Sequence, residues 1–103
     1  MIEKNNKIEV DLELYAAEGK KVPKGQKYKI KVDRVKYTTE QETMTGREIL
    51  QLAGKTPVER FQLNQRLSGG KVVKVGYDEV VDFTTPGIEK FMTIPLDQTE
   101  GGF

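Results

Sequence analysis

Two adjacent glycines followed by one bulky residue, Gly101-Gly102-Phe103, are the place in this sequence where residue type and spacing point most directly to chemistry. Glycine has no Cβ, so a pair can thread a narrow active-site tunnel and present a backbone carboxylate to a nucleotide or a nucleophile without a side-chain clash. Phe103 blocks that carboxylate. The arrangement suits a precursor from which a peptidase removes one residue, leaving the Gly102 carboxylate to be activated. A frayed terminus has the same composition, and the tripeptide alone does not separate the two readings.

Other routes to chemistry are closed by composition. The 103 residues contain no Cys and no His, so a disulfide framework, a thiolate nucleophile, a zinc-thiolate site and the usual general base near neutral pH are all excluded. No pair of carboxylates stands in an apolar setting that would tune it for acid-base work. The chain is therefore not expected to be an enzyme or to hold a metal or cofactor of its own. No apolar run is long enough to span a bilayer and Met1-Ile2-Glu3-Lys4 lacks a secretory h-region, so a cytoplasmic protein without a membrane partner is expected.

Net charge is +1, but it is unevenly placed. Between residues 20 and 36, Lys20, Lys21, Lys24, Lys27, Lys29, Lys31, Arg34 and Lys36 face only Asp33, whereas Asp78, Glu79, Asp82, Glu89, Asp97 and Glu100 face only Lys90 from residue 78 onward. The basic run is interleaved with Tyr28 and Tyr37, a pattern that nucleic-acid binders share. Here Lys27, Lys29 and Lys31 alternate with Tyr28, Ile30 and Val32, which puts the lysines on the polar face of a strand; no nucleic-acid partner is expected.

The elements that must carry the tail are legible from periodicity. Ile8 to Tyr15 alternate strictly, with Ile8, Val10, Leu12 and Leu14 on one side and Glu9, Asp11 and Glu13 on the other, which predicts a strand with one buried face. Ala16 to Gln26, rich in Gly, Pro and Lys, predicts a linker, so residues 1–26 read as an extension joined to a separate body. The apolar face of residues 8–15 needs cover, either as an extra edge strand in cis or by self-association or strand addition to a partner in trans.

The body opens with a hairpin, Tyr28-Lys29-Ile30-Lys31-Val32, a turn near Asp33-Arg34, and Val35-Lys36-Tyr37-Thr38-Thr39. A helix of about nine residues follows. Thr45 and Glu48 form a capping box that satisfies two orphan backbone N–H groups; Ile49, Leu52 and Ala53 give an apolar stripe, and Gly54 supplies the stop. Thr56-Pro57-Val58-Glu59 repeats the cap pattern for one more turn. Residues 60–67 and 71–75 form a second hairpin around Ser68-Gly69-Gly70, residues 77–83 are irregular with Val80, Val81 and Phe83 as anchors, and Ile88 to Ile94 form a further strand. The predicted order of strand, strand, helix, strand, strand, strand fits an α+β fold, a β-grasp with a mixed sheet packed on one short helix.

Several of these residues carry a family resemblance. Met44-Thr45-Gly46-Arg47-Glu48-Ile49-Leu50, Leu52-Ala53-Gly54, Phe61-Gln62-Leu63, Gly69-Gly70, Asp78-Glu79-Val80-Val81-Asp82-Phe83, Pro86-Gly87 and Phe91 agree in order and spacing with the bacterial multiubiquitin domain, which the chain resembles over roughly residues 20 to 98. The resemblance implies a ubiquitin-like β-grasp modifier over residues 27–96, with residues 97–103 as a flexible tail. It also implies three bacterial partners (a ubiquitin-activating-like enzyme, a conjugating-like enzyme and a processing or deconjugating peptidase) alongside target proteins, in systems associated with phage defence. ATP and Mg²⁺ would belong to the activating partner. The family name refers to tandem copies, whereas this sequence carries one.

The same resemblance assigns roles along the tail. Gly102 and Phe103 flank the processed bond, Gly102 supplies the conjugated carboxylate, and Asp97, Gln98, Thr99, Glu100 and Gly101 are the recognised tail. Ubiquitin is basic before its glycines and this chain is not, so eukaryotic activating enzymes should reject it. Lys71 follows its glycine turn much as a chain-linking lysine does in ubiquitin, although a solvated hairpin lysine looks the same. Gln62, Asn64 and Arg66 are expected on the outward sheet face, so ubiquitin's apolar patch is not expected there; Met92 and Ile94 offer a smaller apolar spot. A sulfur carrier of the same fold and a non-covalent assembly module remain the alternatives.

Overall fold

The computed structural model describes residues 7–96. Eight strands and two helices follow one another as β1 (Glu9–Asp11), α1 (Leu12–Glu18), β2 (Lys27–Val32), β3 (Val35–Thr39), β4 (Thr43–Thr45), α2 (Gly46–Leu52), β5 (Phe61–Leu67), β6 (Val72–Val75), β7 (Val80–Asp82) and β8 (Ile88–Pro95), with a single 3-10 turn at Val58–Arg60. The main sheet runs β1-β2-β8-β5-β6, and β3 pairs with β2; β4 and β7 form a separate two-stranded sheet. The order β3-β2-β8-β5-β6 under α2 is the β-grasp predicted from the sequence.

The inner face of the sheet is apolar because the strands alternate. Tyr28, Ile30 and Val32 of β2, Leu63 of β5, Val75 of β6 and Phe91 of β8 are all buried against Ile49 and Leu50 of α2 and against Phe83. The rings of Tyr28, Phe83 and Phe91 lie edge or tilted at 6.2 and 6.3 Å, a favourable aromatic spacing.

α2 begins as predicted. The Thr45 hydroxyl accepts from Glu48 N–H at 3.1 Å and the Glu48 carboxylate accepts from Thr45 N–H at 2.9 Å. Its buried stripe is rotated toward the first turn, three positions before the expected one: Gly46, Ile49 and Leu50 are buried, whereas Leu52 and Ala53 are only partly covered. Gly46 explains the rotation. Its N–H donates to Glu79 C=O, and a Cβ there would lie 2.2 Å from Gly76 O, so the helix start is pressed onto the turn after β6. Gly54, at φ +72, ends the helix. No side chain caps the 3-10 turn, so the cap expected of Thr56 does not form.

The N-terminal segment departs most from expectation. Only Glu9–Asp11 is strand, and the predicted strand stops at Leu12 because Asp11 caps a helix: its carboxylate accepts from Glu13 and Leu14 N–H, and Gly19, at φ +66, closes the other end. β1 pairs in parallel with residues 27–29 of β2. It takes the half of that strand's edge that β8 leaves open, since β2 meets β8 only at Val32 and Phe91. Val10, Leu12 and Val22 join the common core, and the Tyr28 hydroxyl donates to Pro23 C=O at 2.8 Å. The extension and its linker are thus packed against the body in cis. Of the four apolar residues in the alternation, Ile8 and Leu14 are left exposed.

Candidate functional site

The tail residues singled out by sequence, Asp97, Gln98, Thr99, Glu100, Gly101, Gly102 and Phe103, lie outside the described residues. What the structure describes is the root from which they extend. β8 pairs antiparallel with β5 as far as Phe61 and Pro95, and Leu96 N–H donates to Arg60 C=O at 2.8 Å. On the other side of β5, the Tyr77 hydroxyl donates to Phe61 C=O at 2.7 Å, and Lys55 lies over the Phe61 ring at 5.8 Å. A backbone bond on one side and the Tyr77 hydroxyl on the other therefore hold Arg60 and Phe61, against which the described chain ends.

Asp33 reinforces that end of β8. It occupies the β2–β3 turn at φ +57, a conformation short polar side chains tolerate. Its carboxylate accepts from Thr93 N–H at 2.8 Å and from the Thr93 hydroxyl at 2.6 Å, with Lys55 Nζ at 3.5 Å. Burial pushes the Asp33 carboxyl up, but the Thr93 hydrogen bonds and the Lys55 charge outweigh it and hold the group below its ordinary value. Sequence reading placed the turn and missed this tie, because nothing local links residues sixty positions apart.

The outer face of the sheet carries the other charged site. Lys31 and Lys36 stand opposite each other on β2 and β3, facing away from Ile30 and Val32. α1 packs over β8 and β2 on this side. Asp11 Oδ2 and Glu13 Oε1 lie 2.6 and 3.3 Å from Lys36 Nζ, Glu13 Oε2 is 3.3 Å from Lys31 Nζ, and Glu9 is 3.1 Å from Lys29 Nζ. Burial pushes the Asp11 and Glu13 carboxyls up, yet the lysine hydrogen bonds prevail and both sit below their ordinary values; Lys36 is raised, chiefly by its bond to Asp11. Of the three lysines expected on the polar strand face, Lys29 and Lys31 are partnered by the acidic N-terminal element.

Gln62, Asn64 and Arg66 occupy outward positions as expected, with Asn64 only 7% exposed and accepting from the Gln62 amide at 3.1 Å. Arg66 Nε lies 3.1 Å from Glu89 in an ion pair. Ile94 is exposed and Met92 partly covered. At the root itself a cleft of about 120 Å³ is lined by Gln62, Leu63, Lys74, Val75, Tyr77 and Leu96. Lys71 is exposed beside Gly69 and Gly70, both at positive φ, so that pair is a hairpin turn as expected. β5 separates Lys71 from the tail root by its whole length, about 20 Å at the usual rise of a strand.

Among the described residues no group of three or more Asp or Glu is placed to hold a metal, and no helix is long and apolar enough to cross a membrane. The sequence matches the family model for Multiubiquitin over residues 28–95, the whole of the sheet apart from β1 and the first residue of β2. The chain belongs to the Multiubiquitin family. Its fold is the ubiquitin-like β-grasp, extended by β1 and α1. No curated protein and no solved structure matches it.

Proposed function

We propose that this Multiubiquitin domain is a bacterial protein modifier whose reactive group is the Gly102 carboxylate. The observation that carries the reading is a ubiquitin-like body, matched over residues 28–95, with Gly101-Gly102 following six residues beyond its last strand, Ile88–Pro95. A peptidase hydrolyses the Gly102–Phe103 peptide bond and frees the carboxylate. A ubiquitin-activating-like enzyme, supplying ATP and Mg²⁺, joins that carboxylate to AMP with release of pyrophosphate. A nucleophile of the activating or conjugating enzyme takes the acyl group and expels AMP, and an amine of a target protein takes it in turn to form an amide. The chain itself is not an enzyme. It supplies the acyl group and a surface for others to grip, in the cytoplasm and in defence against phage.

Asp97, Gln98, Thr99, Glu100 and Gly101 are the recognised tail in this scheme, and Lys71 is the acceptor should chains form; its exposure on a hairpin turn suits that role. Self-association through residues 8–15 is disfavoured because Val10 and Leu12 are already buried in the chain's own core.

The test is mass spectrometry of the chain after incubation with its peptidase, activating and conjugating enzymes and ATP. Loss of Phe103 followed by an amide between Gly102 and a lysine amine supports the modifier. A thiocarboxylate at Gly102 would instead identify a sulfur carrier, and an unaltered chain would leave a non-covalent module.

A further inference from the structure

The outer face of the main sheet is unequally available. Over β8 and β2 it is occupied by α1, and Glu9, Asp11 and Glu13 of β1 and α1 neutralise Lys29, Lys31 and Lys36. On β5, Arg66 is engaged by Glu89. The cleft at the tail root is differently made. Its lining is Gln62, Leu63, Lys74, Val75, Tyr77 and Leu96, without a carboxylate. Lys74 is exposed at its rim and has no ion-pair partner among the described residues; Arg60, whose carbonyl holds Leu96, has none either. Leu96 and Ile94 beside it are 37% and 46% exposed. Among the described residues, an apolar hollow with a cationic rim that no carboxylate neutralises is left open beside Leu96.

We propose that this cleft is the docking point for the enzyme that activates the tail, which fills it with an apolar side chain flanked by a carboxylate that pairs with Lys74. The inference rests on the modifier reading above and adds the place and chemistry of the contact. Two glycines offer a partner no side chains, so discrimination must come from elsewhere on the chain. The six residues after Leu96, ending at Gly102, span at most about 22 Å when extended. An enzyme that holds the Gly102 carboxylate therefore has its surface within reach of the cleft. An apolar group buried in a small hollow with a charge pair at its edge gives both affinity and selectivity from few contacts.

ATP-pyrophosphate exchange by the cognate activating enzyme, with a chain ending at Gly102 as substrate, tests the assignment. Lys74→Glu and Leu96→Ser should each raise the KM for the chain about tenfold or more, a loss of about 1.4 kcal/mol in binding, with kcat little changed. Both side chains are exposed, so their thermal melts should match the parent. Lys21→Glu, the same charge reversal on the exposed segment after α1, should leave KM within about twofold. An active parent with an unchanged KM for Lys74→Glu and Leu96→Ser overturns the cleft assignment and leaves the modifier reading standing. An equal rise with Lys21→Glu attributes the effect to overall charge and overturns it too. No exchange with the parent chain removes both the modifier reading and the cleft.

Discussion

The two faces of the main sheet are each covered by a helix of seven residues, and the two are held by different forces. α2 lies on the inner face through Ile49 and Leu50, both fully buried, with Gly46 pressed onto the backbone of Gly76. α1 lies on the outer face with a single buried side chain, Leu12, and a ring of ion pairs to Lys31 and Lys36. Apolar contact is insensitive to pH and nearly so to salt, whereas partly exposed ion pairs answer to both. The inner helix defines the fold, and the outer element covers part of the outer sheet face over β8 and β2.

Removing the outer element should nonetheless have the largest effect, because β1 belongs to the core even where α1 is electrostatic. A chain beginning at Lys20 loses Val10 and Leu12, each about 1.5–3 kcal/mol when fully buried, or about 3–6 kcal/mol together. That is comparable to the whole stability of a small domain. Urea unfolding should show a much lower midpoint or no cooperative transition; a midpoint equal to the parent's would mean that the extension is dispensable after all.

On the inner face, Ile49→Ala should destabilise by about 2–5 kcal/mol, as expected for a fully buried aliphatic, while Leu52→Ala should cost less because Leu52 is only partly buried. Equal losses in urea titrations of the two variants would return the stripe to the position the sequence suggested.

The smallest effect separates the faces by charge. Asp11 and Glu13 have folded values below their unfolded ones, so their contribution is complete above the ordinary carboxylate range and is lost as pH falls through the lowered values. From about pH 5 downward, α1 should loosen before α2 does. Asp11→Asn should imitate this at neutral pH, since Asn caps a helix as well as Asp does but cannot pair with Lys36. A loss of about 0.2–1 kcal/mol is expected. Amide exchange followed by NMR reads it directly: faster exchange in α1 with α2 unchanged supports the comparison, and parallel behaviour of both helices contradicts it.

Legibility in the sequence divides along the same line. β2, β3, β5, β6 and β8 announce themselves by alternation and turn residues, and α2 by its capping box, because each signal is local and the inner face has one partner. The alternation of Ile8 to Leu14 misled, since Val10 and Leu12 are both buried but through different elements. The competing signal was present: Asp11 and Gly19 bracket Leu12, Tyr15 and Ala16 at helical spacing. The buried Val22, the Asp33–Thr93 tie and the β4–β7 pair were not readable, as each depends on a contact distant in sequence. Of the candidate site, the tail residues named from the sequence lie outside the described residues, and the cleft beside Leu96, built from β5, β6 and Tyr77, was not legible because it joins strands distant in sequence.

The most direct test of the modifier reading is conjugation of Gly102→Val by the cognate enzymes, with the parent chain run beside it. A β-branched side chain obstructs a tunnel built for glycine, and position 102 follows Leu96, the last described residue, by six positions, so melting should be unchanged. The account predicts that the parent forms amide-linked conjugates and that the variant forms at least about 100-fold fewer, a difference of about 2.7 kcal/mol in transition-state stabilisation. Conjugation of the variant at the parental rate would contradict it.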